Sequence, residues 1–369
     1  MVILFLVPVI LDGPKMAEWY SAYQKQFRND WLAVTLQYLN YNPGQFDHGG
    51  ACMGHLWYLS VDYQLFFVVV ITLALTKCKA KSFHWMMTCY SVACVLFTGI
   101  YIHNTNYTPF VLPMAEDWNV IKLTLFNFYL YTTTHACMFF MGASTFFLVR
   151  DYRKIQLSPL TCSALWFGAI ICMLIAVFGT YPWNSGNYPG EAVKVLYTMA
   201  QRPMWAGFLM WVVFACVTGR AKSVTHMLSS PSFVPLSRLT YGVYIFNLPL
   251  YFIEIMTARE RIFFSAASMI SRSFSMMVWC LLGSYVLFLL VEAPLGRLDK
   301  LVLERLRRRS PAAAAATNDV KACVEYGQKE YPMTPTNGAN ANVHVNNAFK
   351  NSQEQIAAPM YVHGHSIKL

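Results

Sequence analysis

Long windows that are almost free of charge constrain this chain more than any other feature. A helix of about 20 apolar residues crosses the ~30 Å of a bilayer's hydrocarbon, and inside lipid only helices and closed barrels satisfy their backbone groups. Seven windows reach that length, at 57–76, 84–102, 125–149, 160–179, 198–218, 239–257 and 274–291. They predict an all-α polytopic membrane protein with seven full transmembrane helices.

The composition supports this class and excludes others. Charged residues make up 12% of the 369 residues, about half of the roughly 25% that is usual in soluble domains, while 56% are hydrophobic. The net charge of +10 has an ordinary explanation in membrane topology and in contact with anionic lipid headgroups. Nothing in it predicts binding to nucleic acid.

The opening stretch MVILFLVPVIL differs from the seven windows in length. It has eleven residues before Asp12 and no basic residue ahead of them, so it is too short to span and lacks the usual start of a secretory signal. We interpret it as the remaining part of an eighth span. A signal-peptide core is the alternative that its length leaves open.

The positions of lysine and arginine predict the orientation, because short basic loops stay on the cytoplasmic side. Basic residues gather in the loops at 77–83 and 150–158, in the loop after 218 and at 297–309. These segments alternate with the spans as the rule requires. We therefore expect them and the C-terminus in the cytoplasm, in an integral protein of the plasma membrane or the endoplasmic reticulum.

A change of composition near residue 300 predicts a domain boundary. Residues 1–300 hold the predicted spans, whereas 301–369 become rich in alanine and asparagine and lose any sustained apolar period. Such a composition cannot bury a core, so we predict a disordered cytoplasmic tail. His363 and His365 in this tail lack convergent ligands, and we predict no metal site.

Three short segments of the sequence carry a resemblance to a known family. Residues 57–64 read WYLSVDYQ, which resembles the W-Y-L-x-x-D-x-Q element of the animal nose-resistant-to-fluoxetine branch of the acyltransferase-3 membrane enzymes. Residues 236–241 read LSRLTY, with Tyr244 and Ile245 after them, and residues 292–294 read EAP. The shared order and spacing extend the resemblance over roughly residues 1–300.

The resemblance implies a bundle of about ten spans that moves an acyl group, other than an aminoacyl group, from acyl-CoA to a hydroxyl of a lipid or small molecule. The family's proposed catalytic histidine and nearby arginines, which lie on its first spans, and the extracellular N-terminal domain of its animal members have no counterpart in this sequence. Asn247 also stands where the family has histidine, and an amide cannot exchange a proton near neutral pH. We therefore expect an O-acyltransferase ancestry but little activity from this chain by itself.

Ionisable groups inside the predicted spans are the candidate catalytic residues. Asp62 interrupts an apolar run, and His55 lies seven residues earlier, on the same helical face if the helix extends that far. A carboxylate behind a histidine can orient it as a base. His135 lies well inside the window 125–149 and is a substitute base or a substrate contact, although a hydrogen bond between helices is the more common role of such a histidine.

The resemblance also assigns residues to the substrate and to the scaffold. Those with a predicted substrate contact are Trp57, Tyr58, Arg238, Tyr241, Asn247 and Glu254. Asn247 and Glu254 share a helical face that we expect to line one cavity with Asp62. Glu292 is expected to be structural and to pair with Arg238, whose alternative role is a contact with the phosphates of CoA.

Two functional classes remain open from the sequence. The first is a membrane acyltransferase with acyl-CoA as donor, no bound cofactor, and a membrane lipid or small molecule as acceptor. The second is a non-enzymatic transport or binding protein for lipids or small molecules on the same scaffold. The sequence predicts no oligomeric state.

Overall fold

The computed structural model describes residues 12–41, 54–77, 79–110, 118–260 and 265–309, and every regular element within these ranges is helical. The predicted partial span at 1–11 and the predicted disordered stretch at 310–369 lie outside the described residues. Residues 1–302 form one compact unit, which contains every contact discussed below. The second unit is described only at 303–309.

The helices follow the chain as α1 Met16–Thr35, α2 Trp57–Leu75, α3 Ala80–Ile102, α4 Trp118–Thr124, α5 Thr132–Tyr152, α6 Pro159–Phe178, α7 Tyr181–Asn184, α8 Glu191–Val217, α9 Lys222–Leu228, α10 Phe233–Thr257, α11 Ala266–Leu287 and α12 Ala293–Arg309. Two 3₁₀ turns, Leu39–Tyr41 and Gly54–Leu56, precede α2. Two π-helical segments, Leu125–Tyr129 and Phe288–Glu292, precede α5 and α12.

Seven helices within the described ranges are long and apolar enough to cross a membrane, and each coincides with one predicted window. This confirms the predicted fold class and the number of full spans. Local signals explain where some of them begin. For α6, the Ser158 hydroxyl accepts a hydrogen bond from the Thr161 amide at 3.1 Å, which satisfies one of the N–H groups that the helix itself leaves without a partner. Pro159 in the first turn has no N–H group to satisfy.

The window at 125–149 is the one that the structure divides. The π-helical segment ends at Tyr129, Tyr131 is extended with φ −71° and ψ 137°, and α5 begins only at Thr132. The Thr134 hydroxyl donates to the Tyr131 carbonyl at 2.7 Å, a local bond that competes with helix continuation. His135 therefore lies in the first turn of α5, and the prediction that it lies well inside a span was wrong.

Two apolar cores hold the unit together. One joins α2, α3 and α5 through Val61, Leu65, Phe83, Met87, Ala136, Phe140 and Phe147. The other packs α1 against α10 through Met16, Trp19, Tyr23 and Ala33, with Ile245, Phe252 and Ile253 beside them. The polar sequence between the predicted partial span at 1–11 and the first full span thus has its own helix, α1, which is amphipathic and buries one face.

The α10–α11 pair depends on a close approach at Gly242. A Cβ atom at this position would lie 2.2 Å from the Ser284 Oγ atom, so only glycine fits. The Ser284 hydroxyl donates to the Leu239 carbonyl at 2.6 Å across the same contact. This bond also sets the register of the pair, with residue 239 level with residue 284.

The loops separate into two groups at opposite ends of the bundle. At one end the Arg220 guanidinium donates to the Ile155 carbonyl, and Phe83 packs on Phe147 at 4.7 Å between ring centroids. At the other end Glu191 accepts a hydrogen bond from the Asn104 amide at 2.9 Å. The basic loops after α5 and α8 therefore share one end, as the alternation of charge predicts.

Candidate functional site

A groove of about 470 Å³ lies between α2, α5 and α8. Its lining residues are Tyr58, Val61, Asp62 and Leu65 from α2, His135, Met138, Phe139, Gly142 and Thr145 from α5, and Trp205, Ala206, Leu209, Met210 and Val213 from α8. The three helices start at the same end of the bundle, so one end of the groove holds Tyr58, His135 and Trp205. At 1.5 Å of rise per residue, the ten steps from His135 to Thr145 give the groove a length of about 15 Å.

His135 is the buried polar side chain at that end of the groove, with 9% of its surface exposed. Its Nε2 atom lies 2.6 Å from the Tyr129 carbonyl oxygen. Because a carbonyl can only accept, the neutral ring must carry its proton on Nε2, which leaves Nδ1 as the acceptor. The division of the predicted window before α5 creates this arrangement, since it turns the Tyr129 carbonyl toward a ring six residues later.

Aromatic rings hold the imidazole in place. The ring centroids of Trp57 and Tyr129 lie 5.3 Å and 5.0 Å from that of His135, and the Tyr129 ring is perpendicular to it. Tyr58, which follows Trp57, lines the groove and is half exposed. Both aromatic residues of the W-Y-L-x-x-D-x-Q element are thus next to the candidate base.

Asp62 lies one turn after Tyr58 and lines the same groove. Its side chain is exposed and makes no hydrogen bond or ion pair with other described residues. In the part of the chain that the structure describes, no three His, Cys, Asp or Glu side chains come together as metal ligands would. The polar chemistry that the groove lining offers is therefore a carboxylate, an imidazole and the Tyr58 and Thr145 hydroxyls.

Gln64, the last residue of the same element, joins α2 to α5. Its amide nitrogen donates to the Asn40 side-chain oxygen at 2.9 Å and to the Gln37 carbonyl at 2.8 Å. Its amide oxygen accepts from the Thr132 hydroxyl at 2.5 Å. This network ties the start of α5, and with it His135, to α2.

His55 does not share the groove with Asp62. It belongs to the 3₁₀ turn Gly54–Leu56, which precedes α2 and does not continue its helical face. Its ring packs edge-on against Tyr244 at 5.5 Å, and the Tyr244 hydroxyl donates to the His55 carbonyl. The expected pairing of His55 with Asp62 along one helical face is therefore absent.

The residues predicted on α10 also lie away from this groove. Arg238, Tyr241 and Asn247 are exposed, and the groove lining contains none of the three. Glu254 accepts a hydrogen bond from the Arg272 guanidinium at 2.8 Å, so it links α10 to α11. The expectation that Asn247 and Glu254 line one cavity with Asp62 was wrong.

The expected pair of Arg238 and Glu292 is a second correction. Among the ion pairs of the described residues none joins these two side chains. The register explains this, because residue 239 is level with residue 284 in the antiparallel pair. Glu292 therefore lies about two helical turns beyond Arg238.

Arg202 is a buried charged residue near the groove that the sequence reasoning missed, although the groove lining does not include it. It lies on α8, only 7% of its surface is exposed, and its Cζ atom is 5.5 Å from the centroid of the Phe128 ring. Both of its Nη atoms are buried and have no hydrogen-bond partner among the described residues. The signal was present in the sequence, since Arg202 is the one charged residue in the window 198–218 and such residues are costly in a membrane.

Comparisons with known proteins identify one family and two curated relatives. A family model described as an acyltransferase domain matches residues 3–289. Nose resistant to fluoxetine protein 6 of Caenorhabditis elegans is 28% identical over 207 residues, which are 53% of this chain and 25% of that protein. Regulator of hypoxia-inducible factor 1 of the same organism is 23% identical over 270 residues, which are 69% of this chain and 52% of that protein.

The chain thus spans between a quarter and about half of the length of these two curated relatives. No solved structure matches the chain significantly.

Proposed function

The chain belongs to the acyltransferase-3 family, and on that premise we propose that it is a membrane O-acyltransferase whose reaction takes place in the groove between α2, α5 and α8. The family match supports the acyltransferase-like role. The finer parts of the proposal are acyl-CoA as donor and a hydroxyl of a lipid or small molecule as acceptor. One observation carries it: an imidazole with a defined acceptor nitrogen and a carboxylate line the same apolar groove.

His135 is the proposed base. A hydroxyl is a weak nucleophile near neutral pH, and a positioned base contributes typically ~10² to 10⁴-fold. The Nδ1 atom takes the proton of the acceptor hydroxyl while the oxygen attacks the thioester carbonyl carbon. The carbon–sulfur bond then breaks, and the sulfur takes the proton from Nδ1 of the imidazolium, so that CoA leaves as the thiol and His135 is neutral again. The Tyr129 carbonyl, bonded to Nε2, stabilises the imidazolium that forms between these steps.

Asp62 is the proposed contact for the acceptor. Its carboxylate makes no bond to other described residues, so it can accept a hydrogen bond from a hydroxyl of the incoming molecule. Val61, which precedes it, is buried in the helix interface. The backbone at Asp62 is therefore held by packing, and the carboxylate is presented from a rigid helix.

The rest of the lining suits an acyl chain. Apolar side chains such as Leu65, Met138, Phe139, Leu209 and Val213 line the groove beyond its polar end. The volume of about 470 Å³ lies within the ~300 to 1,000 Å³ that is usual for ligand sites. An acyl chain in this groove would extend from the polar end at His135 toward Thr145.

Filling the groove tests the proposal. Gly142 lines it, and a Cβ atom at this position would have no other atom within 4 Å, so Gly142→Leu fits without strain and improves helix propensity by ~1 kcal/mol. Because little activity is expected from this chain by itself, transfer is measured in membranes that also contain the N-terminal part of nose resistant to fluoxetine protein 6. There we expect transfer from labelled palmitoyl-CoA to membrane lipids to fall at least about tenfold, because the leucine side chain occupies the place of the acyl chain.

Gly168→Leu is the matched control. Gly168 lies on α6, outside the groove lining, and its Cβ position is also open. We expect this variant to transfer acyl groups as the unchanged protein does. Equal transfer by the unchanged protein and Gly142→Leu would contradict the use of this groove.

The second candidate, a non-enzymatic lipid-binding or transport protein, is favoured by the mostly apolar lining of the groove. The two functions differ in one measurement. A binding protein would retain labelled acyl-CoA or lipid, and lose it in Gly142→Leu, without forming any acylated product.

A further inference from the structure

Arg202 carries a charge that no carboxylate neutralises among the residues that the structure describes. The titratable groups within its electrostatic range are Tyr129, His135, Cys137 and Tyr197. None of these side chains is an anion near neutral pH, because tyrosine and cysteine lose their protons only at higher pH and histidine never becomes negative. Among the described residues, the ion pairs likewise leave Arg202 without a carboxylate partner.

The energetics favour an anionic partner in the functional state. An ionised group in the interior is costly when it is unpaired, and guanidinium cannot escape the cost by losing its proton. The contact with the Phe128 ring offsets only part of this cost. Five N–H donors on a planar group match the oxygens of a carboxylate or a phosphate.

Arg202 lies on the face of α8 that lines the groove farther along the helix. Trp205, Ala206, Leu209 and Val213 line the groove from α8, and they follow Arg202 at spacings of three, four, seven and eleven residues, which place all five on one helical face. Arg202 is one turn before Trp205, at the end of the groove that holds His135. Its charge also interacts electrostatically with the imidazole ring of His135.

We propose that Arg202 binds the oxyanionic headgroup, a carboxylate or a phosphate, of an amphiphile whose hydrocarbon chain occupies the groove. The proposal rests on the proposed function in using the same groove. It concerns binding and not transfer, so the two can fail separately. The guanidinium binds the headgroup at the His135 end of the groove, and the apolar lining from Leu65 to Val213 covers the chain.

The test measures binding to the purified full chain in a nonionic detergent, read by the quenching of tryptophan fluorescence. Four probes share a twelve-carbon chain: dodecanoate, dodecyl phosphate, the neutral dodecanol and the cationic dodecyltrimethylammonium. We expect at least one of the two anions to bind at least about tenfold more tightly than dodecanol, because only the anions form charge-assisted hydrogen bonds with the guanidinium. Tighter binding of dodecanoate would indicate a free fatty acid as the source, and tighter binding of dodecyl phosphate a phospholipid.

Three variants separate the charge from the fold. Arg202→Gln should lose the preference for the anions, whereas Arg202→Lys, which keeps the charge, should retain most of it. Arg220→Gln is the matched control, because Arg220 also lies over a phenylalanine ring, at 5.2 Å from Phe214, but at the opposite end of the bundle. It should bind all four probes as the unchanged protein does.

The comparison of probes on the unchanged protein needs no variant, so a failure of Arg202→Gln to fold would not remove the test. Dodecanol that binds the unchanged protein as tightly as both anions would overturn the proposal. An anion preference that survives in folded Arg202→Gln would overturn it as well.

Discussion

At the scale of single residues, the hydrogen bond from His135 to the Tyr129 carbonyl decides what the groove can do. It sets the tautomer of the ring, and the same histidine without this bond could present either nitrogen. Trp57 and Tyr129 restrict how the ring can turn. The base is therefore defined by two aromatic neighbours and one backbone oxygen.

Replacement of this ring is the first prediction at the residue scale. His135→Gln keeps a donor for the Tyr129 carbonyl but cannot take a proton, so acyl transfer should fall by ~10² to 10⁴-fold while binding of acyl-CoA is retained. The measurement is single-turnover transfer from labelled acyl-CoA by the purified variant. His84→Gln is the control, since His84 is a half-buried histidine that packs against Phe147 outside the groove. Equal rates in the two variants would exclude His135 as the base.

The second prediction at this scale concerns Gln64 and Thr132. The Gln64→Leu and Thr132→Val substitutions each remove one side of a hydrogen bond of 2.5 Å, and hydrogen bonds between membrane helices contribute ~0.6 kcal/mol on average and up to ~1.7 kcal/mol. The loss of unfolding free energy in the double variant should be smaller than the sum of the losses in the two single variants. The difference, which is the coupling energy of the pair, should be about 0.5 kcal/mol or more.

Unfolding of the purified variants in mixed micelles would measure this coupling. Thr218→Val combined with Gln64→Leu serves as the control, because the Thr218 hydroxyl bonds only within its own helix, to the Phe214 carbonyl. Their effects should add. Additive effects for Gln64 and Thr132 as well would mean that the network does not couple α2 to α5.

At the scale of elements, the interruption before α5 shows how local geometry creates a site. The apolar window 125–149 is uniform in hydropathy, yet the chain forms a π-helical segment, an extended residue at Tyr131 and a new helix at Thr132. Three consecutive threonines at that start provide hydroxyls for backbone and network bonds. The interruption brings a backbone carbonyl within reach of His135, which a continuous helix would have kept in its own hydrogen-bond ladder.

The pairing of α10 with α11 leads to the prediction at this scale. Glu254 and Arg272 form an ion pair at 2.8 Å with 36% and 40% of their side chains exposed, so the pair should contribute only ~0.2 to 1 kcal/mol. Glu254→Arg brings two like charges together and should lower the melting temperature by ~2 to 4 °C. Glu254→Arg combined with Arg272→Glu should restore at least half of this loss.

The control is Arg238→Glu on the same helix, which should leave the melting temperature unchanged because Arg238 is exposed and unpaired with Glu292. Thermal unfolding of the purified proteins measures all three. A double variant that melts as low as Glu254→Arg would show that the pair does not join α10 to α11.

At the scale of the whole molecule, the loops divide between two ends, and the basic ones share an end. Arg220 reaches Ile155 there, whereas Glu191 and Lys194 meet the end of α3 at the opposite side, with Lys194 donating to the Thr105 carbonyl at 2.7 Å. The seven spans and this division agree with an integral multi-pass protein. Which end faces the cytoplasm is a prediction from the distribution of charge.

Labelling with a membrane-impermeant maleimide tests that prediction in intact cells, with single cysteines in a cysteine-free background. Gln156→Cys and Lys222→Cys should react only after permeabilisation, because they lie in the loops expected in the cytoplasm. Asn187→Cys, exposed in the loop before α8, should react without it. Reaction of Gln156→Cys in intact cells would reverse the whole orientation.

The sequence predicted the site unevenly. Asp62, Trp57, Tyr58 and His135 were recognised because ionisable or motif residues stand out in apolar windows, and the structure brings all four to one groove or its edge. Arg202 stood out in the same way but was overlooked. For the α10 residues and for His55, helical spacing suggested a shared cavity, but spacing states only which residues share a face and not which helix that face meets.

The amino-acid sequence alone is enough to predict the seven full spans that the structure has in its described residues, because hydrocarbon leaves the backbone no other way to satisfy its hydrogen bonds over such windows. It also indicated the family, through the order of three short elements. Three features depend on the tertiary structure: which three helices enclose the groove, where α5 begins, and that Arg202 has no carboxylate partner among the described residues. These features depend on side-chain contacts between residues tens of positions apart, such as Gln64 with Thr132. Hydropathy cannot predict such contacts, because it reports only the free energy of transferring each segment from water to lipid.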